Sequence, residues 1–231
     1  MPFEAEVVEN IDAPPADQLN AFHYFPASVF TVEKPEFLDA ARAASKESLA
    51  KRKKEQGKAN EIYPVYMSDN LWDDPRMGEF TAYVGQTAWN ILSDQGYDMA
   101  RFNTIFTEMW CQEHYKHSGM EQHVHGFGSQ ITGFYFIDCP EGSSRVVFHD
   151  PKAGKVQANL PEANMGNATP ASNMVNFEAK PGLLIFTNSY LPHSFTRHAS
   201  PHPMRFIHFN LTVKDAPAVC PAPNQPAPEI I

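Results

Sequence analysis

Cysteine is scarce in this chain, and what there is excludes two architectures. The three thiols, Cys111, Cys139 and Cys220, are odd in number, far apart and free of any C-x-x-C spacing. Neither a disulfide framework nor a thiolate zinc site is indicated, and a reducing compartment is expected. Concentrated positive charge is also missing. The 18 basic residues stand against 27 acidic ones, and their one cluster, Lys51 to Lys54, falls in an expected helix as a solvated end that complements the dipole. Phosphate binding needs a basic face, so nucleic acid is not the expected main partner. No apolar stretch approaches a membrane span, and residues 1–18 have neither a basic start nor an apolar centre. The expectation is a soluble, cytoplasmic protein.

What the chain does contain falls into two halves. Residues 1–19 and 215–231 are rich in Pro and Ala and read as extended tails around one folded domain, 20–214. From 35 to 57, Phe37, Leu38, Ala41, Ala44 and Leu49 recur at helical spacing between a leading proline and a closing glycine. A second helix is expected over 75–95, where Phe80, Val84, Ala88 and Leu92 form one stripe. After Tyr97 the period becomes extended. Strands are expected over 102–113, 121–126, 130–138, 144–149, 175–179, 183–188, 192–198 and 204–213, separated by Gly, Pro and Ser turns. The fold class is therefore mainly β (α+β), a double-stranded β-helix or jelly roll over 102–213 with N-terminal supporting helices. The polar stretch from Lys155 to Asn173 is long for a hairpin loop and suits a lid.

Nine of the ten histidines lie in the β half. His123 and His125 are two apart, which puts both imidazoles on one face of a strand. A third nitrogen donor from a distant strand would give a facial metal site with open positions. His193, which opens a strand beside the apolar run Leu183 to Phe186, is the chosen third donor. Arg205 stands twelve residues later in an apolar strand, where its planar fork needs an anion: a carboxylate ligand, or simply Asp138 or Asp150. The remaining histidines, His114, His117, His149, His198, His202 and His208, read as ordinary hydrogen-bonding residues.

The segments QHVHGFGSQITGFYFIDCPEGSSRVVFHDP and KPGLLIFTNSYLPHSFTRH followed by RFIHFN resemble the 2-oxoglutarate/Fe(II) oxygenases related to prolyl hydroxylases. The resemblance implies Fe(II) on a His-x-acid pair plus a distal histidine, with an arginine holding the far carboxylate of 2-oxoglutarate. By position these are His123, His193 and Arg205. The chain departs from the pattern at His125, where the family carries Asp or Glu. Either His125 is a true ligand, or Glu121 or Asp150 supplies the carboxylate, or His125 stands behind the metal. Thr132 is expected to share the carboxylate with Arg205, while Phe134 and Phe136 wall the pocket. The implied activity is hydroxylation of an unactivated C–H of a small-molecule or protein substrate, with release of succinate and CO2. Two rivals stand beside it: a three-histidine, cupin-type metalloenzyme independent of 2-oxoglutarate, and a non-catalytic jelly-roll module. The open edges of a small jelly roll make a homodimer an expectation.

Overall fold

The computed structural model describes residues 25–126, 128–157 and 160–216. The expected tails lie almost wholly outside this range, as do His23, Phe127 and Cys220. Two helices precede the β half: α1, Leu38–Gln56, and α2, Gly78–Asp94, each preceded by a short 3-10 turn that begins at Pro35 or Pro75. Proline suits both helix starts, because its fixed φ is helical and its missing N–H would have no partner there. Asp74 caps the second, accepting from the Arg76 amide.

The described residues form ten strands: β1 Val29–Glu33, β2 Val65–Met67, β3 Phe102–His114, β4 Met120–His123, β5 Ile131–Asp138, β6 Val146–His149, β7 Met174–Phe177, β8 Leu183–Asn188, β9 His193–Phe195 and β10 Met204–Asp215. A six-stranded sheet runs β1-β8-β5-β10-β3-β2, and a four-stranded sheet runs β4-β9-β6-β7. Every pairing is antiparallel, as in a double-stranded β-helix. Strands β1 and β2 are the two that the sequence does not predict. Both are short edge strands with mixed burial, and so carry little alternation to detect.

The large sheet has two different faces. One packs on the helices, where Phe80 of α2 sits 5.0 Å from Tyr135 and 6.3 Å from Phe209, ring centre to ring centre. The other packs on the small sheet through Phe134, Phe136, Phe148, Phe195, Met204 and Phe206, all buried. Phe195 and Phe206 stack across the two sheets at 4.8 Å. Alternation along β10 therefore sends Met204, Phe206 and His208 inward and Ile207, Phe209 and Leu211 toward the helices. Gly133 of β5 makes room for the Phe209 ring, since a Cβ there would overlap that ring and sit 2.5 Å from the Ile185 carbonyl oxygen.

Candidate metal centre

Register brings the first two imidazoles together. Strand β4 lies beside β9 with His123 opposite His193, and their ring centres are 4.5 Å apart. His125 lies just past the end of β4, where its amide donates to the Ser189 carbonyl at 3.0 Å. That bond returns its ring to the other two. Its Nε2 lies 3.2 Å from His193 Nε2, and ligand atoms of all three histidines fall within 4.8 Å of one another. Two nitrogens on neighbouring positions of one metal, each bonded at about 2.1 Å, stand roughly 3 Å apart, so the observed separation is what shared coordination needs.

Hydrogen bonds fix which nitrogens are free. His123 Nδ1 donates to the Glu121 carbonyl at 2.8 Å, and His193 Nδ1 to the Leu191 carbonyl at 3.0 Å. Both rings therefore present Nε2 lone pairs to the centre. Burial drives His193 down to about 3 and His125 to about 4, the latter helped by His123, so both stay neutral near pH 7 and are competent donors. His125 Nδ1 meets Asn210 Nδ2 at 3.0 Å, and the same amide donates to Glu108 Oε2 at 2.6 Å. As the amide is placed, His125 Nδ1 accepts and its Nε2–H points at His193. Metal on Nε2 requires the proton on Nδ1, and turning the Asn210 amide to accept that proton would withdraw its Nδ2 from Glu108 unless the Glu108 carboxyl is itself protonated and donates.

The residues fit a bound metal with a small polar ligand in a further respect. Trp110 Nε1, His208 Nε2 and Asn210 Oδ1 are buried with no hydrogen-bond partner among the described residues. His208 is 2% exposed, packs against His125 at 4.7 Å and against Trp110 at 4.8 Å. Buried polar atoms are ordinarily satisfied, so an unpartnered set beside converging imidazoles marks where a polar group belongs. Glu108, Trp110, His208 and Asn210 were not among the sequence-predicted site residues. The signal was present in the alternation of β3 and β10, which puts 108 and 110 and likewise 208 and 210 on one face, but only pairing of those two strands brings them to His125.

The other expected residues fall elsewhere. Arg205 does not face the histidines: it lies on the helix-facing side, with Nε donating to Glu113 Oε2 at 2.6 Å and a terminal nitrogen to Asp138 Oδ2 at 2.8 Å. Lys53 of α1 completes the cluster on Glu113 at 2.5 Å. The anion that this arginine meets here is thus a pair of carboxylates of the chain itself, one of them the Asp138 that the sequence offered as the alternative to a carboxylate ligand. Thr132 is buried on the inner face, but its hydroxyl donates to the Phe209 carbonyl at 3.3 Å, across the sheet from Arg205, so the two cannot share a ligand. Phe134 and Phe136 do face inward, and Phe134 touches the His193 ring edge-on at 5.3 Å. Glu121 is exposed, and Asp150 binds Lys155 at 2.8 Å. Neither carboxylate joins the histidine cluster among the described residues. The 155–173 stretch begins in a short helix and is tied back by Lys155 to Asp150 and the Ser172 carbonyl.

Beside His125 opens a cavity of about 730 Å³, lined by Tyr97, Met99, Arg101, Gln130, Asn188 and Tyr190 among others. Of the three clustered histidines, His125 is the one that lines it.

Comparison with known proteins agrees with this picture. Residues 108–210 match the family described as "Putative 2OG-Fe(II) oxygenase". No curated protein matches the sequence. Among solved structures, AviO1 from Streptomyces viridochromogenes Tue57 is similar with a TM-score of 0.56 at 15% identity, over 85% of this chain and 93% of that one. The carbocyclase SnoK from nogalamycin biosynthesis gives 0.56 at 12%, over 84% of each chain. A Pseudomonas putida prolyl-4-hydroxylase gives 0.52 at 11%, over 80% of this chain and 93% of that one. At such identities the likeness is one of fold, the double-stranded β-helix. The match over 108–210, which contains the three converging histidines, is to a family of 2OG-Fe(II) oxygenases, whose description implies Fe(II) and 2-oxoglutarate.

Proposed function

We propose that this protein holds Fe(II) on His123, His125 and His193 and hydroxylates an unactivated C–H of a small-molecule or protein substrate admitted through the cavity beside His125. The observation that carries this reading is the convergence of three imidazoles with a 3.2 Å Nε2–Nε2 separation and no carboxylate among them. Bound iron and 2-oxoglutarate supply the oxidising power, with succinate and CO2 as by-products. The chain supplies the rest. Backbone carbonyls of Glu121 and Leu191 hold two of the rings in the donor tautomer, and the Glu108–Asn210 pair steadies the third. Phe134 and Phe148 wall the His193 ring and keep water from that side. Three neutral imidazoles leave the ion's two positive charges intact, one more than a His-x-acid site would, and so favour an anionic co-substrate.

The neighbours named above include a prolyl hydroxylase and a carbocyclase, so the fold does not select a substrate. No helix of the described residues is long and apolar enough to cross a membrane, and the thiols of Cys111 and Cys139 are free, which supports our placing the protein in the cytoplasm. A homodimer formed through an exposed sheet edge is our expectation for light scattering.

The test is an anaerobic titration with Fe(II) followed by 2-oxoglutarate, read by the visible charge-transfer band of a chelated keto acid. The wild type should bind one equivalent of iron and develop the band, and His193→Gln should lose iron affinity by at least 100-fold. Iron binding without a band would favour the three-histidine enzyme independent of 2-oxoglutarate, and no iron binding would favour a non-catalytic module.

A further inference from the structure

The three-histidine site makes no use of the orphaned polar atoms on the far side of His125. His208 is 2% exposed and its Nε2 has no hydrogen-bond partner among the described residues, and Asn210 Oδ1 and Trp110 Nε1 are likewise buried and unpartnered. Leaving a buried imidazole nitrogen unpaired costs free energy, so these atoms point to something that binds among them. The side chains around them say what kind. Strands β3 and β10 pair with Glu108 opposite Asn210 and Trp110 opposite His208, which sets Glu108 diagonally across from His208. One ligand atom each of Glu108, His125 and His208 lies within 4.8 Å of the others, a second metal-ligand grouping that shares His125 with the first.

His125 has a nitrogen for each grouping. Its Nε2 faces His193 Nε2 at 3.2 Å, whereas its Nδ1 faces Asn210 Nδ2 at 3.0 Å, and that amide reaches Glu108 Oε2 at 2.6 Å. A metal on Nε2 leaves a proton on Nδ1 that the Asn210 amide can accept only by releasing Glu108 or by having the Glu108 carboxyl protonated. A second cation in the gap removes the need for either. It takes the place of the Nδ1 proton, draws on the Glu108 carboxylate and a ring nitrogen of His208, and gives the turned Asn210 Oδ1 a cation to face. Trp110 Nε1 can only donate, and is left for a water or anion on that ion. The bridging imidazolate and the carboxylate each carry one negative charge and together offset a divalent ion. Two imidazole nitrogens and one carboxylate suit a first-row transition ion better than Ca(II) or Mg(II), which prefer oxygen. Glu108 is exposed, so the ion can enter from solvent.

We propose that Glu108, His125 and His208 hold a second divalent transition-metal ion, with His125 bridging it to the ion on the three histidines. This rests on the three-histidine reading above. Two cations on one imidazole repel, so the second binds more weakly, and the single equivalent of Fe(II) expected above is the tighter of the two. The test titrates the metal-free full chain with Co(II), whose visible absorption reports its ligands, while equilibrium dialysis counts the bound ions. The wild type should take up two equivalents in two phases. Glu108→Gln should weaken the second phase by about 10-fold or more and leave the first within about 2-fold, and His208→Phe should do the same. His193→Gln should weaken the first phase and still leave an ion bound. Glu108 is exposed, so its variant should fold even where that of the buried His208 does not. A wild type that saturates at one equivalent, or a second phase that Glu108→Gln leaves within about 2-fold, overturns this proposal and leaves the three-histidine site standing. A sole ion lost in Glu108→Gln but kept in His193→Gln overturns the three-histidine reading and the two-ion count with it. No binding of Co(II) defeats both.

Discussion

Replacing Arg205 by Gln separates a structural arginine from a ligand-binding one. In the structure its guanidinium bridges Glu113, whose side chain is 1% exposed, and Asp138, while about a third of its own side chain is exposed. Removing one partner of a fully buried pair costs about 3–5 kcal/mol, because the other charge is stranded. Here Glu113 keeps Lys53 at 2.5 Å and the Tyr115 hydroxyl at 2.5 Å, and the arginine is partly screened by solvent, so we expect about 2 kcal/mol. For a chain of this size that is roughly 4–8 °C in Tm. Urea and thermal unfolding of metal-free protein would measure it, and a cycle with Glu113→Gln should show a coupling of about 1–2 kcal/mol. The pH dependence follows from Glu113. Burial raises its carboxyl, but the Lys53, Tyr115 and Arg205 donors outweigh that and hold it below the usual range. A folded-state value below the unfolded one gives stability that is complete above the unfolded carboxyl pKa and lost as pH falls through the folded value. The gap between wild type and Arg205→Gln should therefore narrow below about pH 4.5. A variant as stable as wild type to within about 0.5 kcal/mol, yet at least tenfold weaker for 2-oxoglutarate, would refute this account of Arg205.

Asn210→Ala removes the group that orients His125 and should weaken Fe(II) binding about 10- to 100-fold by metal titration, with only a small change in urea midpoint. Gly133→Ala places a methyl group against the Phe209 ring and the Ile185 carbonyl and should cost about 2–3 kcal/mol or more in chemical unfolding, since backbone must shift. Burial, aided by His198, drives His114 down to about 3, and burial does the same for His193. Each would sit near 6.5 when unfolded, so the unfolded chain binds more protons between those values. Stability of the metal-free protein should therefore be full above about pH 6.5 and fall steadily toward pH 3, with a shallower slope in His114→Gln; a slope unchanged by that substitution would count against a neutral buried imidazole.

Much of the architecture was readable because periodicity is local. The stripes of Ala41, Ala44 and Leu49 and of Phe80, Val84, Ala88 and Leu92 face the core in α1 and α2, and the eight expected strands correspond to β3–β10. The edge strands β1 and β2 escaped, since each is held mainly by pairing with β8 or β3 and not by an alternation of its own.

At the site, the sequence by itself determined the candidate donors: two imidazoles two residues apart and a third opening a later strand, chemistry that belongs to the residue types and their spacing. Tertiary structure alone decided where the charges go. Spacing put Arg205 near His193 along the chain, but strand alternation turned its side chain to the helices, where Glu113 and Asp138 from two neighbouring strands already waited. In the same way, Trp110 and His208 became neighbours of His125, and Arg101 came to share its cavity, through contacts between segments far apart in sequence. A side chain's face is set by its register within the sheet, and its partners by which strands lie beside it, and pairing over such distances leaves no local mark in the sequence.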